Sequence, residues 1–358
     1  MRCSVSSRCS AHPYLTAPTA RRDSASLRKR HWTNWMMRSD GSPSPAHGRM
    51  TKTPVFLEKR PLGRSGHPTS ILGLGLRRLG EGSQKEFVRV VREAIDKGVT
   101  VIETAHEYGE GRTERWLGLA LADGYRQRVT LVAQCCAHLR DYKTAMHQLD
   151  ETLGRLKTDR VDLWTFHEVI YDNDVEWIYD HGGLDAMQEA REQGKVRFIG
   201  FGGHKSPHIH LKLLQRGFAW DAVLMPLNPL DASFRSFEKK VLPETIHRGA
   251  AVIGIKPVAG GALLGVKGVK PEESLRYCMS LPISSVICGM DSTAVLRKNL
   301  KLTAGFNAFH PGEMDALRQR ARTVAGDGRA ERYKTTQDHD LLSGQVAHGF
   351  IPPPKKKA

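Results

Sequence analysis

The chain predicts an α/β fold, a (β/α)8 barrel of the TIM type, and three observations carry that prediction. From Ser70 onward, a short β-branched run, a loop and a helix-period segment recur eight times. Strands that alternate with helices pair in parallel, because each crossover returns the chain to the same edge, and eight such units close on themselves. The competing open sheet needs a glycine fingerprint after its first strand. Here Gly73-Leu74-Gly75 lacks the third glycine and runs into Leu76-Arg77-Arg78.

The strand-like runs are residues 70–75, 99–103, 129–134, 161–167, 196–202, 221–226, 251–256 and 284–289. Between the first two, Phe87, Val91, Ala94 and Ile95 fall on one helical face at i, i+4, i+7 and i+8. Segments 111–123, 142–156, 181–194, 206–216, 238–248, 271–280 and 291–302 read as the other helices. Residues 1–50, rich in Ser, Arg and Pro without apolar periodicity, predict a disordered basic tail. Translation from Met50 explains that tail better than a targeting role does. Residues 51–326 form the barrel, and 327–358 a C-terminal arm with little core and a basic end.

Bulk properties narrow the function. Of the net charge of +16, a large share is terminal: residues 1–49 carry nine Lys and Arg against two Asp, and the chain ends in KKKA. The barrel is therefore only modestly basic, which argues against a nucleic-acid partner. No apolar run approaches the roughly 18 residues of a membrane span. The six cysteines, Cys3, Cys9, Cys135, Cys136, Cys278 and Cys288, include no CxxC pair. A disulfide scaffold or zinc ribbon is disfavoured, and a reducing, cytoplasmic setting fits.

In barrels of this type chemistry gathers where strands end. The second run ends in Glu103, with His106 and Tyr108 following. The third ends in Gln134, before Cys135, Cys136 and His138. The fourth ends in His167-Glu168, the fifth in Gly202-Gly203-His204 and the seventh in Lys256. A single loop histidine is usually surface, and a single loop tyrosine usually packs its ring. A carboxylate, a tyrosine and a histidine converging from neighbouring strands are harder to attribute to packing alone.

Several blocks, from about Leu57 to Asn299, resemble the aldo/keto reductases. They include LEKRPLGRSGHPTSILGLG, AIDKGVTVIETAHEYGEGRTERWLG, LDETLGRLKTDRVDLWTFH, GKVRFIGFGGH and SSVICGMDSTAVLRKNL. The resemblance implies reduction of a small-molecule carbonyl substrate with hydride from NADP or NAD. It implies Tyr108 as general acid and His167 as the residue orienting the carbonyl. Glu103 takes the place of the family's aspartate, one methylene longer, and Gln134 stands where its lysine is expected. A neighbouring ammonium would lower the pKa of the tyrosine, which is ordinarily near 10; a glutamine brings no charge. The resemblance therefore implies a slow or altered reductase, with Lys256 a candidate for the missing cation.

The cofactor positions that the resemblance implies are Gly202, Gly203, Leu224, Ile255, Lys256, Gly260, Gly261, Gly289, Ser292 and Asn299. Gly202-Gly203 stand for the family's Ser-Asn, Leu224 for a glutamine, and Ile255 for a stacking tyrosine. A helix start after the eighth run would suit a phosphate, and Arg297 and Lys298 could reach a 2′-phosphate or equally form a solvated helix face. Two other readings stay open. One is a nucleotide-binding barrel that has lost its chemistry. The other is a metal-dependent hydrolase using Glu103, His106, His138, His167, Glu168 and His204. The arm, as C-terminal loops do in the family, would help shape the substrate pocket.

Overall fold

A computed structural model describes residues 57–265 and 268–352, so the predicted N-terminal tail lies outside the described residues. A short antiparallel hairpin comes first, β1 (Lys59–Pro61) with β2 (Pro68–Ser70). Eight strands then follow: β3 (Leu72–Gly75), β4 (Val101–Ala105), β5 (Thr130–Cys135) and β6 (Val161–Phe166), then β7 (Val196–Gly202), β8 (Ala222–Pro226), β9 (Ala251–Ile255) and β10 (Ser285–Gly289). All eight pair in parallel, and β10 pairs with β3 to close the barrel. The alternation in the sequence thus yields the (β/α)8 architecture it predicts.

Two apolar layers hold it. Inside the barrel, Val101, Val132, Leu163, Leu224, Ile253 and Ile287 pack around the axis, and Leu62 from the hairpin turn joins them. Outside, each helix buries one stripe against the strands. The helix Gln84–Asp96 begins where Ser83 Oγ accepts the Glu86 N–H at 3.3 Å. It buries Phe87, Val90, Val91, Ala94 and Ile95. At about 1.5–3 kcal/mol for each fully buried large apolar side chain, this face contributes more than the cap.

Among the described residues, four helices go beyond the sequence expectation, Asp174–Asp180, Pro311–Ala325, Arg332–Thr335 and Leu342–Ala347. The second carries a readable start: Pro311 at its first position, and a Glu313 side chain that accepts the His310 N–H at 2.7 Å. The arm also differs from its expectation of little core. Tyr333, Lys334 and Glu331 are fully buried, and Tyr333 belongs to the main core.

Candidate active site

The ends of β4, β5 and β6 bring four side chains together. Glu103 pairs in register with Gly75, and a Cβ at position 75 would stand 3.2 Å from Glu103 Oε2. The glycine makes room for the longer carboxylate. Glu103 Oε1 accepts the Tyr108 O–H at 3.1 Å and a short hydrogen bond from Gln134 Nε2. Gln134 Nε2 also reaches the Tyr108 oxygen at 3.5 Å. The His167 ring meets Tyr108 edge-on, centroids 5.8 Å apart. All four are buried.

Burial sets their protonation. Desolvation, then the Glu103 charge, pushes the Tyr108 phenol well above its usual range. Desolvation raises the Glu103 carboxyl as well, against the hydrogen bonds from Gln134 and Tyr108. His167 is held well below the usual imidazole value, first by desolvation and then by His138 and His204, so the ring is neutral. Its Nδ1 lies 3.3 Å from Cys136 Sγ, a thiol that burial keeps protonated. An S–H donated to Nδ1 leaves the ring proton on Nε2.

A cation is present, but not from β5. Arg77, two residues past the end of β3, is the positive charge that favours the Tyr108 phenolate, and it also acts on Glu103 and His167. In the sequence it reads only as an interruption of a glycine pattern; its position beside the Glu103 register is the signal that could have found it. Lys256 follows β9 in a left-handed conformation (φ 53°) and sets its Nζ 5.2 Å from the Tyr333 ring centroid. It therefore faces the barrel mouth, and burial lowers its pKa to about 8.

The arm covers these groups. Leu341 packs on Ala105, Tyr108 and Cys136. Its N–H donates to Glu168 Oε2 at 2.8 Å. Asp340 accepts from Tyr171 Oη at 2.9 Å, pairs with His204 Nε2 at 3.3 Å, and holds the Lys205 ammonium. A cavity of about 970 Å³ opens elsewhere on the arm, lined by Tyr171, Lys205, Ile209, His348 and Phe350. It includes none of the four side chains.

Glu168 gives the arm a pH dependence. It too has a left-handed backbone, φ 50°, and burial raises its carboxyl to about 7. A folded-state pKa above the unfolded one means the folded chain holds the extra proton. The stability contribution is complete below about pH 4.5 and is lost as pH rises through 7. Glu168→Gln is expected to match the parent near pH 4.5 and to exceed it by up to about 3 kcal/mol at pH 8. Urea midpoints of both proteins across this range check the result.

Residues 71–304 match the aldo/keto reductase family model. The chain belongs to that family. It is therefore an NAD(P)-dependent oxidoreductase. An uncharacterised oxidoreductase, YrpG, of Bacillus subtilis (strain 168) is 30% identical over 242 residues, 60% of this chain and 70% of that one. An L-galactose dehydrogenase of Arabidopsis thaliana is 29% identical over 157 residues, 41% of this chain and 49% of that one. The fold is similar to the holo form of an aldo-keto reductase from Bacillus halodurans, with a TM-score of 0.62 at 22% identity, covering 75% of this chain and 97% of that chain.

The family's nicotinamide dinucleotide can be tested against the residues present. Beyond β9 and β10 the chain leaves room: a Cβ on Gly261 or Gly289 would meet nothing within 4 Å. Leu224 and Ile255 pack together on the barrel's interior cluster. The space beyond the two strands is what a dinucleotide would need, and Lys256 would be the cation nearest it. Gly202 and Gly203 have packing reasons to be glycine, since a Cβ would lie 2.9 Å from Leu224 Cβ or 2.2 Å from the Val169 carbonyl oxygen. Gly260 turns with φ 67° beside His339.

The helix Thr293–Ala304 is less open to an anion than its sequence suggests. Ser292 Oγ accepts the Val295 N–H at 3.4 Å, while Thr293 N and Oγ1 donate to Glu86 Oε1 at 3.3 and 2.7 Å. A carboxylate thus already occupies the helix start. Asn299 Nδ2 turns back to Cys288 Sγ at 3.5 Å. Arg297 holds Glu93 at 2.6 Å, and Lys298 pairs with Glu272. The metal-hydrolase set does not assemble either: His106 Nε2 bonds Glu151 at 2.8 Å and His204 faces Asp340. No helix among the described residues is long and apolar enough to cross a membrane.

Proposed function

We propose that this chain reduces an aldehyde or ketone by hydride transfer, with Tyr108 protonating the carbonyl oxygen and His167 orienting it. The observation that carries this reading is the hydrogen-bonded cluster of Glu103, Tyr108 and Gln134 with the His167 ring against the tyrosine. When bound, the reduced nicotinamide supplies the hydride. His167 donates from Nε2 to the carbonyl oxygen and polarises it. Tyr108 passes its proton to that oxygen as negative charge develops there. Glu103, which accepts the Tyr108 O–H, orients the phenol; after transfer a proton from solvent restores it, and Arg77 stabilises the transient phenolate in the lysine's absence.

NADH is accepted at least as readily as NADPH. Arg297 and Lys298 are already paired with carboxylates, and Glu86 sits on the helix start, so a 2′-phosphate meets neutralised cations and an anion. A weakened, binding-only barrel is the second reading, and the raised Tyr108 phenol favours it.

Restoring the lysine separates the two. Gln134→Lys pairs an ammonium with Glu103 and lowers the Tyr108 pKa, and each unit of lowering corresponds to about tenfold in the phenol–phenolate equilibrium. The expected result is about a tenfold rise in kcat on a panel of aldehydes and ketones. No gain in a folded variant counts strongly against the assignment of these four residues.

A further inference from the structure

Beside the proposed reaction centre lies a second cluster that the mechanism does not use. Glu107, Cys136 and His138 each offer a ligand atom, and all three atoms lie within 4.8 Å of one another. His138 is only 4% exposed, yet neither of its ring nitrogens has a hydrogen-bond partner. A buried imidazole with both nitrogens unsatisfied is costly, since each polar atom has given up water for nothing. The side chain is poised for a ligand that the protein's own groups do not supply.

We infer that Glu107, Cys136 and His138 form a binding site for a divalent transition metal of the zinc class. Thiolate, imidazole and carboxylate together suit zinc or cobalt, and three protein ligands leave one position of a tetrahedron open. On binding, the Cys136 S–H bond breaks, its proton goes to solvent and the sulfur lone pair goes to the metal. This set shares only His138 with the hydrolase set considered from the sequence.

The arm roofs the site. Ser343 Oγ donates to Glu107 Oε2 at 2.5 Å, and Gly344 lies against the His138 ring, where a Cβ would stand 3.2 Å from Nδ1. A metal here would tie together the loops after β4 and β5 directly beneath the arm. It would also withdraw the Cys136 proton from His167 Nδ1, 3.3 Å away. This last consequence, inhibition by zinc, rests on the reductase reading; the binding itself does not.

The test is titration of the full chain, kept reduced, with Co2+ alone and then with Zn2+ as competitor. The expected result is one equivalent that produces a thiolate-to-cobalt charge-transfer band with tetrahedral d–d absorption, abolished by stoichiometric Zn2+. Cys136→Ser removes that equivalent, whereas a Cys3→Ser/Cys9→Ser variant keeps it. His138→Leu loses no hydrogen bond, so it folds as the parent does by circular dichroism, and it binds at least tenfold more weakly. The half-buried Glu107→Gln also weakens binding about tenfold and carries the test if His138→Leu fails to fold. Absence of the band in the parent, or its full retention in Cys136→Ser, overturns the site. Neither outcome depends on whether the chain reduces carbonyls.

Discussion

Tyr108→Phe is expected to lower kcat for carbonyl reduction by about 10²–10⁴-fold, the span that a positioned general acid contributes. The substitution removes only the hydroxyl. Glu103 keeps its hydrogen bond from Gln134, and the ring keeps its edge contact with His167 and its packing on Leu341, Ala105 and Cys136. The site should therefore hold its shape, and binding of NADH should change less than twofold. That separation matters, because it assigns the loss to proton transfer rather than to assembly of the site. Steady-state kinetics on the best carbonyl substrate, with cofactor titration alongside, read both quantities. A kcat within threefold of the parent would remove Tyr108 from the mechanism.

The second large effect is on stability, in the arm. Lys334 is fully buried; its ammonium donates to Asp231 Oδ1 at 2.6 Å and the Phe234 carbonyl at 2.7 Å, and pairs with Glu331 at 2.9 Å. Asp231 in turn accepts the N–H groups of Phe237 and Glu238 at the start of the helix Phe237–His247. Lys334→Met leaves two carboxylates buried without their cation. Breaking a buried pair in this way costs about 3–5 kcal/mol. The urea midpoint should fall accordingly. Glu331→Gln in the same chain should recover part of the loss, because one uncompensated charge disappears. A loss below about 1 kcal/mol would mean that the arm is not docked through this network.

The barrel was legible in the sequence because its cause is local. β-branched runs and amphipathic helices alternate, and parallel closure follows from that alternation alone. The proposed reaction cluster was legible for a related reason. Glu103, Gln134 and His167 end neighbouring strands and Tyr108 follows one, so topology alone brings them to one mouth, and Gln134 could be seen to lack a lysine's charge. What could not be read depends on pairing across long stretches of chain. Lys334 looks like a tail residue until Asp231 is placed beside it. Glu86 looks like a surface helix residue, yet it occupies the helix start where a phosphate was expected. Arg77 looked like a broken motif, and its worth depends on a register between β3 and β4 that no local pattern displays. The helix Pro311–Ala325 is different: its start signal, Pro311 with Glu313 two residues on, is local and stands in the sequence itself.

The central claim is that a nicotinamide dinucleotide binds at the ends of β9 and β10, next to Tyr108 and His167. The most direct measurement is titration of the full chain with NADH and, separately, NADPH, following cofactor fluorescence and quenching of tryptophan emission. The account predicts saturable binding at one dinucleotide per chain, with NADH no weaker than NADPH. Failure of both nucleotides to give a saturable signal would contradict it.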